Sequence, residues 1–311
     1  MNHHVRQGIL DTVGQTPLVC LNGLSPDSGL RVHAKLERFN PTGSIEDRTA
    51  LGLLLTPLRT GEIVPGRPVV LAADSGNLAI SYAQVCRYYG LDLHVVVEAG
   101  AVTVWHRAML HAFGARIEAV RTAPAGGPPD GGRLARLADA LAATLPGAYR
   151  PRSGSPDSTD DTLVREIRAG LPADPDYLFC PASSPVALLG AAAHLRTHRL
   201  ATTLVVVDDL PHGGRPRGPG LDLVEPVTEA EAVAGCRQLL DREGLLTGRS
   251  SGAVIAAFAR LRGRLEPGAV CVLILPDGGD RYADTVYSDS WVDAQVGTVP
   301  ELRLTHLEPV R

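Results

Sequence analysis

Short apolar runs that break at a turn and continue into a helical pattern recur along this chain. That alternation limits its fold more than any other feature. Pro68 to Ala73 is rich in β-formers, Asp74-Ser75-Gly76-Asn77 turns the chain, and Leu78 to Tyr89 reads as a helix ending at Gly90. Leu93 to Glu98 is the next strand, Val104 to Phe113 a helix closed by Gly114, and Arg116 to Val120 another strand. The second half repeats the pattern with strands at Tyr177 to Cys180, Thr203 to Val207 and Ala269 to Leu275. Helices fall between and around them, at Ala191 to Thr197, Thr228 to Glu243, and from Thr247-Gly248 to Arg262. Strands separated by helices predict βαβ units with right-handed crossovers. The expected class is α/β, as two domains, each an open, largely parallel sheet flanked by helices.

The 311 residues are long enough for two α/β domains with substantial cores. The Pro/Gly-rich loop Thr122 to Gly132 cannot be regular structure. The Ser/Pro/Gly-rich change at Tyr149 to Asp157 predicts domains at 1–150 and 151–311, with residues up to about 35 able to pack on the second domain. A net charge of −4 and the lack of a basic run with aromatics argue against a nucleic-acid partner. Cys20, Cys86, Cys180, Cys236 and Cys271 show no CxxC spacing, which predicts neither disulfides nor zinc and favours a reducing cytoplasm. No signal pattern or membrane-length run is present, and the ten histidines fall in no ligand spacing and read as solvated, so no membrane partner and no metal are expected.

The chemistry-bearing stretch is Asn40-Pro41-Thr42-Gly43-Ser44-Ile45-Glu46-Asp47-Arg48, between a strand at Val32 to Glu37 and an apolar helix at Thr49 to Leu55. Ser44 followed three residues later by Asp47 is a helix-start signature, with Ser44 as the cap. Glu46 then lies near a helix N-terminus, where it is either a dipole-complementing acid or a site residue. The chain contains a single lysine, Lys35, which shares a strand face with Glu37.

This stretch resembles the Asn-Pro-x-Gly-Ser-x-Lys-Asp-Arg segment of the cysteine synthase (O-acetylserine sulfhydrylase) family, fold type II pyridoxal-phosphate enzymes of tryptophan synthase β-like architecture. Further resemblances follow in order: Gly14-Gln15-Thr16-Pro17-Leu18-Val19-Cys20-Leu21, Lys35-Leu36-Glu37, Ser75-Gly76-Asn77, and Gly248-Arg249-Ser250-Ser251-Gly252-Ala253. The ending Pro276 to Tyr287 looks closest to the siderophore branch, which joins phosphoserine to glutamate. The resemblance implies a dimer, a substrate-and-cofactor loop at Ser75, Gly76 and Asn77, and Ser250 at the ring-nitrogen position.

Where the family has its Schiff-base lysine, this chain has Glu46, and Lys35 matches a different family lysine. Asp74 replaces a hydroxyl that would bind a substrate carboxylate. Pro181-Ala182-Ser183-Ser184-Pro185-Val186 replaces the Gly/Thr-rich phosphate cup. Pro185 removes an N–H and Val186 adds a branched side chain, leaving Ser183 and Ser184 to offer hydroxyls. No cofactor is therefore expected. Three readings follow: a cofactor-independent enzyme acting on a small amino-acid-derived substrate, with Glu46 and Asp74 moving protons and Ser44, Ser75, Gly76, Asn77, Ser183, Ser184, Arg249 and Ser250 binding the substrate; a non-catalytic relative that binds a partner, for instance an active relative; or pyridoxal-phosphate-dependent β-replacement, making cysteine or a diaminopropionate precursor, with the cofactor held without a Schiff base.

Overall fold

The computed structural model describes residues 5–24, 29–73, 75–99, 102–120, 131–151, 161–209, 221 and 223–302. Residues 122–130 of the expected Thr122 to Gly132 loop and most of the predicted boundary stretch lie outside them, as does Asp74, and Gly131 and Gly132 open a helix instead of closing that loop. The strands are β1 (Leu18–Cys20), β2 (Arg31–Leu36), β3 (Pro68–Ala73), β4 (Asp92–Glu98), β5 (Arg116–Val120), β6 (Tyr177–Pro181), β7 (Thr203–Asp208), β8 (Leu223–Pro226) and β9 (Val270–Leu275). The helices are α1 (Glu46–Arg59), α2 (Gly76–Tyr88), α3 (Val104–Ala112), α4 (Gly131–Thr144), α5 (Thr162–Gly170), α6 (Pro185–Thr197), α7 (Glu229–Glu243), α8 (Arg249–Leu261) and α9 (Asp289–Gln295).

The chain divides into two compact units, Met1–Val13 with Glu46–Ser158, and Gly14–Ile45 with Thr159–Arg311. Residues 14–45 count with the second unit because β2 pairs in parallel with β9 along its whole length, from Arg31 opposite Val270 to Leu36 opposite Leu275. The partition falls between Ile45 and Glu46, inside the motif that the sequence singles out.

The first unit is a three-stranded sheet in the order β3-β4-β5, parallel throughout. Tyr149 bridges the outer edge of β3, where its carbonyl accepts the Val70 N–H at 2.9 Å and its N–H reaches the Pro68 carbonyl at 2.8 Å. Val69, Leu71, Val95 and Val97 on one face pack with Ala79, Ile80 and Ala83 of α2 and Leu54 of α1. Val70 and Val96 on the other face pack with Leu134 and Ala138 of α4. Burial on both faces is what a near-continuous Val/Leu run in a parallel sheet requires.

The second unit is a six-stranded sheet in the order β1-β2-β9-β6-β7-β8, parallel except for the antiparallel edge strand β1. The central β9 is buried at every position. Its Cys271, Leu273 and Leu275 pack with the Ala253–Phe258 stretch of α8, and its Val272 and Ile274 with Ile167 of α5 and Leu188 and Ala191 of α6. Parallel strands with covering helices make both units α/β. Among the described residues no helix is long and apolar enough to cross a membrane.

Candidate functional site

In a parallel sheet, ligand-binding loops collect where strands end and helices begin. Three such loops carry the residues that the sequence singles out; the Ser75 loop and the Ser183–Ser250 group each lie within one unit, and the Asn40 motif runs across the partition at Ile45–Glu46.

The Asn40 motif is locked into the second unit by buried hydrogen bonds. Asn40 donates to the Glu37 carboxylate at 2.7 Å, Thr16 donates to the same carboxylate at 2.7 Å, and the Asn40 side-chain oxygen accepts the Gly14 N–H at 2.8 Å. Gly43 turns the chain at φ +87°, and a Cβ there would lie 2.8 Å from the Arg281 guanidinium, which itself donates to the Thr42 carbonyl. Only glycine meets both conditions without strain. Ser44 then pairs with Asp277 as an isolated antiparallel bridge, and the Ile45 N–H donates to the Pro276 carbonyl. That extended pairing overturns the expected role of Ser44 as a helix cap. Its Oγ is fully buried and has no hydrogen-bond partner among the described residues, while α1 begins at Glu46. Glu46 is half-buried in the first turn of α1. Together with burial, Cys86 and Tyr149, its negative charge pushes the phenol of buried Tyr82 upward, with Arg150 opposing.

Lys35 is 1% exposed, and its ammonium donates to the Glu166 carboxylate at 2.6 Å and to the Thr16 carbonyl at 2.6 Å. The chain's one lysine is therefore a structural cation inside the second unit.

The Ser75 loop opens α2 in the first unit. Ser75 is the N-cap, and its Oγ accepts the Leu78 N–H at 3.3 Å. Gly76 is buried against the ring of His106, so that a Cβ at Gly76 would fall 2.1 Å from Cδ2 and 2.5 Å from Nε2 of that ring. Asn77 is half-buried in the first turn of α2. His106 is held in a capping box with Thr103, whose N–H donates to Nδ1 at 3.3 Å and whose hydroxyl lies 2.7 Å from Nδ1. An Nδ1 that accepts leaves the proton of the neutral ring on Nε2, the edge turned to Gly76. His106 is buried, which corrects its reading as a solvated histidine. The Thr-x-x-His spacing at a helix start was the legible signal.

The third constellation lies at the C-terminal ends of β6 and β7 and the N-terminus of α8. The Asp209 carboxylate is fully buried and takes the Ser183 N–H at 3.0 Å and the Ser183 hydroxyl at 2.6 Å. Ser183 Oγ also lies 2.9 Å from Ser250 Oγ. Arg249 donates from Nη1 to the Asp209 carbonyl at 2.9 Å and from Nε to Glu229. Burial pushes the Cys180 thiol up, and the Asp209 charge adds to this. Ser184 is the buried N-cap residue of α6, makes no side-chain capping bond, and is followed by Pro185 at the first helical position. Sequence reasoning passed over Asp209, although an Asp208-Asp209 pair directly after a buried strand marks a strand end of the kind that carries sites. The turn leading into Arg249 and Ser250 is fixed by the closing motif: the Tyr287 hydroxyl donates to the Thr247 carbonyl at 2.7 Å, and Asp277 lies against Gly248 while accepting the Tyr282 hydroxyl at 2.7 Å.

Known proteins share this fold. The chain is 35% identical, over 93% of its length and 91% of the relative's, to N-(2-amino-2-carboxyethyl)-L-glutamate synthase of Ralstonia nicotianae. A lysine-to-alanine variant of O-ureido-L-serine synthase, crystallised with O-ureido-L-serine, superposes with a TM-score of 0.82 at 26% identity, covering 94% of this chain and 98% of that one. O-acetylserine sulfhydrylase isoform 3 of Entamoeba histolytica does so at 0.80 and 25%, covering 94% and 97%. The family model for pyridoxal-phosphate dependent enzymes matches residues 9–217 and 219–277, which takes in all three loops. By descent, the chain belongs to the pyridoxal-phosphate dependent enzyme family.

Proposed function

We propose that this family member works without the family's cofactor, as an acid–base enzyme on a small amino-acid-derived substrate, with Glu46 as the proton-transfer group. One observation carries the proposal. The position of the cofactor-binding lysine holds Glu46, and the chain's single lysine is buried on Glu166. A carboxylate cannot form the covalent link that an amine forms. It can take and return a proton, which is the work of a general acid–base group. Relatives named for glutamate-linked aminopropionate and for ureidoserine support a three-carbon amino-acid skeleton and an amine or similar nucleophile as the substrate class.

In such an addition, the nucleophile's nitrogen bonds to the terminal carbon of an acrylate-like double bond. Glu46 takes the proton leaving that nitrogen and returns it to the neighbouring carbon. The reverse sequence is an elimination, and an internal nucleophile makes it a cyclisation. Ser75 and Asn77 of the α2 loop are assigned to orient the substrate, and Asp74 is assigned to move protons with Glu46. The protein is proposed to act as a homodimer.

A second reading, a non-catalytic relative that binds a partner such as an active family member, is favoured by a specific observation. Arg249, Ser183 and Ser250, all expected to hold ligand, already bond within the chain. The two readings separate in one assay, the addition of glutamate to an N-acyl 2-aminoacrylate by protein purified without added cofactor. Glu46→Gln should lower turnover by about 10²–10⁴-fold while ligand binding by calorimetry stays within a few-fold. Unchanged turnover in Glu46→Gln, or activity only when pyridoxal phosphate is supplied, would overturn the enzyme proposal.

A further inference from the structure

We infer that Asp209 is an internal counter-anion that takes the position an external phosphate would need, closing the α6 loop of the second unit to phosphate-bearing ligands. This deepens the cofactor-independent proposal and rests on it only for biological meaning, because the geometry involves none of the Glu46 region.

A loop that binds phosphate does so with several successive backbone N–H groups aimed into one concavity. Here four residues in a row have none to offer. The Ala182 N–H donates to the Val207 carbonyl at 2.8 Å, the Ser183 N–H to Asp209 Oδ1 at 3.0 Å, and the Ser184 N–H to the Pro181 carbonyl at 3.2 Å. Pro185 has no N–H.

The hydroxyls are committed in the same direction. A serine hydroxyl has one proton. Ser183 gives its proton to Asp209 Oδ2 at 2.6 Å, so its Oγ is an acceptor toward Ser250, 2.9 Å away, and the Ser250 proton points at Ser183. Ser250 therefore sits in a relay that ends on a carboxylate, and its proton is turned toward Ser183.

The charge balance points the same way. Among the described residues the group holds two carboxylates, Asp209 and Glu229, against one guanidinium, Arg249, whose Nη1 is 3.9 Å from Asp209 Oδ2. A phosphate placed here would meet this net negative charge, and beside the fully buried Asp209 carboxylate like charges repel more strongly than in water. The side chain of Asp209 is fully buried and both its oxygens are in use. Buried carboxylates persist when they are hydrogen-bonded in this way.

The test uses the full chain with Glu46 intact and inorganic phosphate as the probe, with sulfate, pyridoxal phosphate and pyridoxal as further arms. Binding is read by isothermal calorimetry and by the shift in melting temperature. The wild-type protein should give no saturable binding of phosphate, sulfate or pyridoxal phosphate at millimolar concentration. Asp209→Ala, and Asp209→Asn as the isosteric variant, should bind phosphate and pyridoxal phosphate at least tenfold more tightly. Pyridoxal, which lacks the phosphate, should stay unchanged. Stoichiometric phosphate binding by the wild-type chain would overturn the inference, as would a folded Asp209→Ala variant that gains none. If both variants fail to fold, the wild-type arm alone decides. Gain of phosphate binding without any catalysis would uphold Asp209 while removing the enzyme proposal, and turnover without that gain would do the opposite.

Discussion

Helices α2 and α6 begin in equivalent settings, each just beyond a parallel strand, and the turns that lead into them are held in different ways. At α2 the answer is local: Ser75 reaches three residues ahead to the Leu78 N–H. At α6 the answer comes from elsewhere in the chain: the loop before the helix is held by Asp209, 26 residues away, and Ser250 joins from 67 residues away. The first arrangement caps the helix N-terminus from within its own turn. The second turns the loop inward on a carboxylate of its own chain. A family fold can thus keep its strand–turn–helix frame while one loop stays similar and another is rewired.

The contrast generalises to a claim about stability: long-range polar pairs hold the second unit, and local caps contribute less. Its strongest test is Lys35→Ala. The Lys35 side chain is 2% exposed and that of Glu166 is 18% exposed, and the variant takes the cation away from a largely buried carboxylate. Breaking such a pair costs about 3–5 kcal/mol. Urea unfolding of the variant should show a midpoint lowered to match. A loss under about 1 kcal/mol, typical of exposed pairs, would break the comparison.

The next test concerns the α2 side. A Cβ at Gly76 would sit 2.1 Å from the His106 ring, which its Thr103 bonds hold in place. Gly76→Ala should therefore destabilise the protein by about 1–3 kcal/mol, as overpacking does. In a His106→Ala background the same change should be nearly neutral. A double-mutant cycle on thermal or urea unfolding measures that coupling. Additive losses would mean that the loop and the histidine are independent.

What was legible in the sequence follows the same division between local and distant. The β3 and β5 bounds could be read because each run is apolar or β-rich and is ended by turn residues. Thr228 as the cap of α7 was equally local. The short elements β8, α5 and α9 went unread, although Leu163, Val164 and Ile167 of α5 have helical spacing. Ser44 was misread because its hydroxyl fits a cap pattern while a tertiary bridge to Asp277 sets its backbone. Asp209 with Ser183, and Lys35 with Glu166, are meetings of residues 26 and 131 apart, and no periodicity encodes them.

The smallest effect expected is at α7, whose N-terminus is the plain control for the other two. Thr228 and Glu231 form a capping box, with Glu231 accepting from the Thr228 N–H and hydroxyl at 2.8 Å each and pairing with Arg260. Partial burial alone would raise the Glu231 carboxyl, but the Thr228 bonds and Arg260 outweigh it and hold the group below its ordinary value. A carboxyl depressed on folding contributes stability that is complete above the unfolded value, about 4.3 for Glu, and is lost as pH falls through the folded value. Glu231→Gln keeps an acceptor for Thr228 but removes the charge facing Arg260 and the helix dipole, a loss of about 0.5–1 kcal/mol at pH 7. Unfolding midpoints of the two proteins should differ at pH 7 and converge as pH drops below the glutamate range. A gap that stayed constant down through that range would mean that the charge of Glu231 contributes nothing, and that a local cap works here by geometry alone.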